Sequence, residues 1–368
     1  MTELAPQGLW LGRVETAAGP SVVTLRDGRV IDITSRAAPT VSDVLEQANP
    51  AEYVRTATGQ DIGSLEDLAT SLLAPCDLQA VKACGVTFAG SMVERVIEER
   101  AAGDPSKAQE IRARVGSLIG DSLANIVPGS EKAATVKSAL IAEGLWSQYL
   151  EVGIGPDAEV FTKAPVLSSV GHGAAVGLHP NSEWNNPEPE VVLAVNSRGE
   201  IVGATLGNDV NLRDIEGRSA LLLGKAKDNN ASCSIGPMIR LFDQGFSLDT
   251  VRGLELSLTV TGADGFEMKG ASRMSAISRD PADLVAQTIG DHHQYPDGFM
   301  LFLGTLFAPT QDRFGPGQGF THAVGDIVRI STPELGLLEN EVRLSTHCPK
   351  WDFGIRDLMR NLAGRGLI

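Results

Sequence analysis

The sequence contains few cysteines, few aromatic residues and no long apolar run. Its 368 residues include four cysteines, Cys76, Cys84, Cys233 and Cys348, and only 5% aromatic residues. The cysteines are too scattered for a disulfide framework or a zinc site, so we expect free thiols and a cytoplasmic protein. No stretch reaches the roughly 18 apolar residues of a membrane-spanning helix, and the N-terminus has no signal-peptide pattern. We therefore expect no membrane association.

Basic residues are also scarce relative to acidic ones. The 31 Lys and Arg residues are outnumbered by 46 Asp and Glu residues, and the formal net charge is −15 at pH 7. This charge repels polyanions, and no basic run interrupts it, which argues against a nucleic-acid partner. The content of apolar residues, 42%, is ordinary for a globular protein. The length is sufficient for one large domain with a smaller one attached.

The hydrophobic pattern changes twice along the chain. Residues 9–33 are typical of short strands, and helices are predicted near 41–49 and 64–73, the second beginning at Ser64 with Asp67 as its capping partner. Residues 91–150 are predicted to be helical. From Phe161 onward the pattern indicates short strands separated by Gly, Pro and Asn, at 190–195, 201–206, 254–261, 299–306, 326–331 and 336–343.

These patterns predict an α+β fold in two parts. A small N-terminal α/β domain is expected over residues 1–75. A β-rich catalytic domain, a sandwich or roll with a mixed sheet, is expected over residues 76–368, with a helical insertion at 91–150 and a short C-terminal tail. Many strands with few helices between them argue against a doubly wound parallel sheet.

Two glutamates open one of the predicted strands. Glu188 and Glu190 are two residues apart, so on a strand they point to the same side, roughly 7 Å apart. The turn at 196–200 and the next strand form a hairpin whose simplest register places residue 188 opposite 208. Asp209 then returns beside the two glutamates. The alternative is a solvated strand face with Asp209 in a turn.

Three converging carboxylates repel one another unless a cation neutralises them. An oxygen-only set of ligands suits a hard divalent ion, so the spacing of Glu188, Glu190 and Asp209 predicts Mg²⁺, with Mn²⁺ or Ca²⁺ as alternatives.

Further motifs flank these carboxylates. They are Phe161-Thr-Lys163, Asn208-Asp209 followed by Arg213-Asp214, a lysine ahead of Gly236-Pro237, and Leu303-Gly-Thr305. Together with the Glu-x-Glu strand they resemble the fumarylacetoacetate hydrolase superfamily over roughly residues 80–345. The short interval between Glu190 and Asp209 resembles the sugar-acid dehydratase branch of that superfamily.

The resemblance implies the activity. A dehydratase of this branch would use Mg²⁺ held by Glu188, Glu190 and Asp209 to convert a 2-keto-3-deoxy-pentonate to 2,5-dioxopentanoate, and would work as a homo-oligomer on a small sugar acid.

Hydrolases of the superfamily carry an H-x-x-E motif; here Ser91 stands at the position of its histidine and Glu94 is retained. The missing water-activating base favours elimination over hydrolysis. The alternatives are an acylpyruvate-type C–C hydrolase or keto-acid decarboxylase, and a non-catalytic sugar-acid-binding protein.

The resemblance also implies roles for single residues. Glu94 would transfer a proton at C3 or C4, and Lys227 would either steady the enolate or shuttle protons. Lys225 is the alternative lysine if the alignment is counted from Asp209. Substrate contacts are expected from Ser91, Arg100, Thr305 and Lys163. Lys163 and Arg213 would also support the carboxylate ligands. For the charged residues the competing interpretation is a solvated surface position.

Overall fold

The computed structural model of the chain describes residues 4–102, 104–111, 126–142, 144, 146–305, 307 and 309–368, with the backbone alone for residues 89–91. Its strands are β1 (Trp10–Thr16), β2 (Gly19–Arg26), β3 (Arg29–Asp32), β4 (Gln60–Ser64), β5 (Leu72–Leu73), β6 (Ala80–Gly85), β7 (Glu159–Ala164), β8 (Ala175–Leu178), β9 (Asn185–Asn186), β10 (Pro189–Val195), β11 (Ile201–Asp209), β12 (Asn211–Leu212), β13 (Cys233–Leu241), β14 (Glu255–Thr261), β15 (Glu267–Arg273), β16 (Phe299–Phe302), β17 (Ile327–Thr332) and β18 (Gly336–Leu344).

The helices connect the strands, except for the C-terminal helix, which follows the last strand. They are α1 (Val41–Leu45), α2 (Pro50–Thr56), α3 (Ala89–Ala101), α4 (described over 105–111), α5 (Glu131–Ala142), α6 (Gln148–Ile154), α7 (Arg213–Glu216), α8 (Leu223–Lys227), α9 (Leu248–Arg252), α10 (Pro281–Thr288) and α11 (Ile355–Gly364). None of the helices within the described ranges is long and apolar enough to cross a membrane.

Two sheets build the core. The larger has the strand order β4-β3-β2-β1-β13-β11-β10-β16-β6-β7, with β5 added on β1, and the smaller has the order β15-β14-β17-β18-β8. Strand β10 shows how they pack, because its side chains alternate between two faces. Val191 and Leu193 join a cluster with Leu258 and Ile330 of the smaller sheet, whereas Val192 joins the cluster on the opposite face. The predicted α+β, β-rich fold is confirmed.

Two of the predicted helices differ from the structure. The helix predicted over 64–73 is wrong: the amide of Asp67 does donate to Ser64 Oγ at 3.1 Å, but the chain continues as a 3₁₀ turn and then as β5. Leu72 pairs there with Val14 of β1 and is buried, so long-range strand pairing outweighs the local capping contact. The helix predicted over 41–49 ends at Leu45, and a new helix begins at Pro50.

The large sheet contains strands from both sides of the domain boundary predicted at residue 75. Strand β1 pairs antiparallel with β13, with Trp10 opposite Arg240 and Leu11 opposite Ile239. Helix α11 returns to the same region, where the Asn361 side chain donates to the carbonyl of Ala18 at 2.8 Å. Helices α3 to α6 occupy the described part of the predicted insertion. The division into two domains at residue 75 stays a prediction.

Candidate active site

Five neighbouring strands bring their polar ends to one edge of the large sheet. In the order β11, β10, β16, β6 and β7, all neighbours are antiparallel except the parallel pair β16 and β6. The start of β10, the end of β11, the end of β16, the end of β6 and the start of β7 therefore meet. Residues that are far apart in the sequence come together there.

The hairpin of β10 and β11 places the three predicted carboxylates side by side. Val195 pairs with Ile201 as predicted, but a β-bulge after Ala194 shifts the remaining pairs by one residue, so that Glu190 lies opposite Gly207. The shift brings Asp209 level with Glu188, and its amide donates to the Glu188 carbonyl at 3.0 Å.

All three side chains are buried. Glu188, Glu190 and Asp209 each offer a carboxylate oxygen, and these oxygens all lie within 4.8 Å of one another. The predicted convergence is therefore present.

Two buried lysines contact this triad. Lys227 Nζ pairs with Glu188 and lies 3.0 Å from Asp209 Oδ2, while Lys163 Nζ lies 2.7 Å from Asp209 Oδ1. Burial favours the neutral form of Asp209, but Lys163 and Lys227 outweigh it and hold the pKa of that carboxyl below its usual value. Burial also disfavours the Lys227 ammonium, yet Asp209 and Glu188 raise its pKa, so it stays charged.

Glu190 differs from the other two carboxylates in its partners. Its Oε2 accepts a hydrogen bond from the amide of Gly304 at 2.7 Å, and within the described chain no Lys or Arg pairs with it. Burial, and then the nearby Asp209 and Glu188, raise the pKa of Glu190 well above its usual value. An oxygen-only site with such an excess of negative charge fits a hard divalent cation.

The triad lies at the side of a pocket of about 340 Å³, whose wall also includes Thr305 and Phe161. Arg95 of α3 enters it, with Nη2 2.5 Å from Glu188 Oε1 and Nη1 2.9 Å from Glu216 Oε2. Burial raises the pKa of Glu216 despite this contact. Among the described residues, two cationic and five anionic side chains line the pocket.

Glu159, the first residue of β7, also lines the pocket. Burial, and then the negative charge of Glu216, raise the pKa of Glu159 to about 7. A carboxyl group with this pKa can exchange a proton near neutral pH.

The structure brings some of the predicted site residues together. Lys227 and Thr305 line the pocket with the carboxylate triad, and the Thr305 hydroxyl is held by the amide of Phe307 at 3.1 Å. Lys225, the alternative lysine, is exposed on α8. Lys163 lies beneath the pocket, fully buried, and its ammonium also donates to the carbonyl of Val210 at 3.2 Å.

Other predicted residues do not line this pocket. Glu94 lines an adjoining pocket that shares Glu188 and Thr305 with the first, and its Oε2 is 3.6 Å from Arg213 Nη2. Arg213 itself donates to Glu98 from its Nε at 2.7 Å, and Glu98 pairs with Arg95, which contacts Glu188 of the triad. Arg100 is exposed and donates to the carbonyl of Gly144 at 3.1 Å, away from the residues that line the pocket.

The Ser91 side chain lies outside the described part of the structure. The roles of these residues in catalysis and binding stay predictions.

Sequence reasoning did not find Arg95, Glu159 or Glu216. The sequence did contain a pattern for Glu159. Residues 159, 161 and 163 are two apart on a predicted strand and therefore point to the same side, and Lys163 was predicted to support the triad. Arg95 and Glu216 had no such pattern. Their contact joins helices α3 and α7, which are distant in the sequence.

Comparison with known families agrees with this site. Residues 154–343 match the fumarylacetoacetate (FAA) hydrolase C-terminal family. A "Probable 2-keto-3-deoxyxylonate dehydratase" of Haloferax volcanii is 34% identical over 194 residues, covering 53% of this chain and 63% of the relative. A 2-dehydro-3-deoxy-D-arabinonate dehydratase of Saccharolobus solfataricus is 30% identical over 185 residues, covering 50% and 58%. The chain thus spans about three fifths of the length of these relatives.

Solved structures share the fold. A 2-keto-3-deoxy-D-arabinonate dehydratase complexed with magnesium and 2,5-dioxopentanoate superposes with a TM-score of 0.63 at 21% identity, covering 91% of this chain and 99% of that one. Its apo form gives a TM-score of 0.64 with the same identity and coverage. Because the family match spans more than half of the chain and includes the whole carboxylate triad, the chain belongs to the fumarylacetoacetate hydrolase family.

Proposed function

We propose that the protein is a magnesium-dependent dehydratase that converts a 2-keto-3-deoxy-pentonate, derived from D-xylonate or D-arabinonate, to 2,5-dioxopentanoate in pentose catabolism. The observation that carries the proposal is the convergence of Glu188, Glu190 and Asp209 within 4.8 Å at the side of a pocket. The names of the two relatives, both dehydratases of such acids, support it.

The same three residues would hold the metal ion, for which Mg²⁺ is proposed and Mn²⁺ or Ca²⁺ are the alternatives. When bound, a divalent ion would polarise the 2-oxo group of the substrate and stabilise the negative charge that develops when C3 loses a proton. The excess negative charge around Glu190, which lacks a cationic partner in the described chain, supports this assignment.

The remaining polar groups of the pocket fit a small anionic substrate. Arg95 and Lys227 supply fixed positive charge, and the Thr305 hydroxyl is oriented by its hydrogen bond from Phe307. We propose that Thr305 and Arg95 bind the substrate carboxylate and that the Lys227 ammonium stabilises the charge on the 2-oxo group. Such positioned donors contribute most when water is excluded from the pocket.

A hydrolase or decarboxylase with the same triad is the alternative enzyme, and a sugar-acid-binding protein is the alternative without catalysis. Ser91 in place of the histidine of the hydrolases argues against C–C hydrolysis. The convergence of the triad argues against a protein that only binds.

The test is a panel of 2-keto-3-deoxy acids with Mg²⁺ or EDTA, following loss of the substrate and formation of the products by NMR. We expect Mg²⁺-dependent formation of 2,5-dioxopentanoate, abolished by EDTA. Glu188→Gln and Asp209→Asn should each lower turnover by at least about 100-fold, because removing even a supporting partner of a metal ligand costs about 10–100-fold. Glu255→Gln, at an exposed pair with Arg273, is the matched control. Cleaved C–C products, or turnover that survives EDTA, would contradict the proposal.

We further propose a cytoplasmic location and a homo-oligomeric state. All four cysteines are free and buried, which supports a reducing compartment.

A further inference from the structure

One peptide group connects the carboxylate triad to a buried hydroxyl. Its amide, that of Gly304, donates to Glu190 Oε2 at 2.7 Å. Its carbonyl, that of Leu303, accepts from Thr87 Oγ1 at 2.6 Å. Because a peptide group is planar, the two hydrogen bonds together fix its orientation. The Thr87 hydroxyl and the Glu190 carboxylate are therefore coupled through one rigid unit.

The position of Glu190 depends on this peptide group. Glu188 and Asp209 both pair with the Lys227 ammonium. For Glu190, the amide of Gly304 supplies the one hydrogen bond that its carboxylate receives from the described residues. A carboxylate is planar, so fixing one of its oxygens also fixes the direction of the other.

Gly304 allows Thr87 to approach this closely. The φ of Gly304 is +89°, and a Cβ atom at this residue would lie 2.1 Å from Thr87 Oγ1. Glycine also offers the least steric resistance to rotation of a neighbouring peptide group. Without the Thr87 hydroxyl, the peptide would be free to rotate and to turn its amide away from Glu190.

The turn that carries Thr87 is itself fixed. Its residue Val86 has a φ of +57°, a left-handed conformation that β-branched residues rarely adopt. The Thr87 carbonyl accepts from the Ser278 amide at 2.8 Å and from the Ser278 hydroxyl at 2.7 Å. Phe88 pairs with Ile277 in an isolated β-bridge. These contacts hold the turn in place, and with it the donor of the hydrogen bond.

We propose, on the basis of the metal site in the proposed function, that Thr87 is a positioning residue for the divalent cation. Its hydroxyl holds the peptide between Leu303 and Gly304, this peptide orients the Glu190 carboxylate, and that orientation sets the affinity for Mg²⁺. Thr87 is buried and does not line the pocket, so it acts through the peptide and not by contact with the ion.

The test compares two replacements of Thr87. Thr87→Val keeps the shape of the side chain and removes the hydroxyl, whereas Thr87→Ser keeps the hydroxyl. We expect Thr87→Val to weaken Mg²⁺ binding, measured by titration calorimetry, by about 10–100-fold, the usual effect of losing a group that orients a metal ligand. Thr87→Ser should bind Mg²⁺ like the wild type.

A second measurement needs no metal. In EDTA, hydrogen exchange of the Gly304 amide, followed by NMR, should be faster in Thr87→Val than in the wild type, because the peptide no longer keeps this amide on Glu190. Thr87→Ser should again behave like the wild type.

Thr24→Val is the matched control. Thr24 is also buried, and its hydroxyl donates to the carbonyl of Trp10 at 2.7 Å in the N-terminal hairpin. The control therefore loses the same kind of hydrogen bond, and we expect it to keep the wild-type affinity for Mg²⁺. Ser278→Ala, which removes one of the two donors to the Thr87 carbonyl, is a milder variant and should weaken Mg²⁺ binding by a smaller factor.

Three results would overturn the proposal. They are wild-type Mg²⁺ affinity in Thr87→Val, or in Ser278→Ala if Thr87→Val does not fold; equal weakening in Thr24→Val; and no Mg²⁺ binding by the wild type. Mg²⁺ binding without dehydration of any sugar acid would instead contradict the proposed function and leave the role of Thr87 assigned.

Discussion

The balance of buried charges determines the charge states of the individual site residues. Lys227 illustrates this, since its ammonium lies between Glu188 and Asp209, close to Glu216. Lys225, two residues earlier on the same short helix, is exposed. One helix thus carries one lysine whose charge is required by its neighbours and one that is free in solvent.

Replacing this buried lysine should destabilise the protein when no metal is bound. In EDTA we expect Lys227→Met to lower the free energy of unfolding by about 3 kcal/mol, because removing one partner leaves the other buried charges uncompensated. Saturating Mg²⁺ should restore more stability to the variant than to the wild type. Chemical denaturation with and without Mg²⁺ measures both effects. Lys225→Met is the matched control and should change stability by less than about 0.5 kcal/mol; equal losses in the two variants would disprove the argument.

The Lys163 side chain of β7 holds two other secondary-structure elements, β11 and α8, in place. Its ammonium contacts Asp209 at the end of β11, the carbonyl of Val210 just beyond it, and the carbonyl of Lys227 at the end of α8. Because the side chain is fully buried, these contacts replace its hydration. The positions of Asp209 and Lys227 therefore both depend on one strand of a different region of the sequence.

Loss of Lys163 should loosen both elements. We expect Lys163→Met to cost about 3 kcal/mol of stability, as for other buried ion pairs that lose one member. Amide hydrogen exchange around residues 209–212 and 223–228 should become faster, while strands β1 and β2 keep their protection. Lys82→Met, on the neighbouring strand, is the control, because the Lys82 ammonium donates to the Thr162 hydroxyl at the surface, 2.9 Å away. Faster exchange spread evenly over the chain would contradict this tethering role.

For the molecule as a whole, the N-terminal strands and the family domain share one continuous sheet. Strand β1 covers the edge of β13, and Trp10 and Leu11 are fully buried there. Arg365, directly after helix α11, donates a hydrogen bond to the carbonyl of Pro20 at 2.8 Å, so the C-terminal helix is attached to the N-terminal hairpin. An exposed edge strand of this apolar kind promotes aggregation.

The two predicted domains should consequently unfold together. We expect the full chain to show one thermal transition in calorimetry, and residues 76–368 expressed alone to aggregate because β13 loses its partner strand. Circular dichroism and size-exclusion chromatography of the truncated chain provide the check. A soluble, folded 76–368 fragment that binds Mg²⁺ as the full chain does would show that the N-terminal strands are dispensable.

Short-range spacing predicted the fold class and indicated the triad, with a solvated strand face as the alternative. Glu188 and Glu190 share a side because they are two residues apart on a strand, and a turn of a few residues brings Asp209 back beside them. A β-bulge changed the register by one residue without separating the three carboxylates. Alternating apolar residues likewise indicated the strands of the β-rich core, since this pattern depends on neighbours in the sequence.

Long-range strand pairing determined which other residues line the pocket. Glu159 reaches the triad because β16 joins β10 to β6 and β6 pairs with β7, and no local pattern contains that order of strands. No local pattern predicted the position of Arg95 either. Arg95 occupies the pocket, whereas Arg100 of the same helix is exposed. The buried face of a helix is determined by the elements that pack against it. Local propensity also failed at residues 64–73, where pairing with β1 was the stronger interaction.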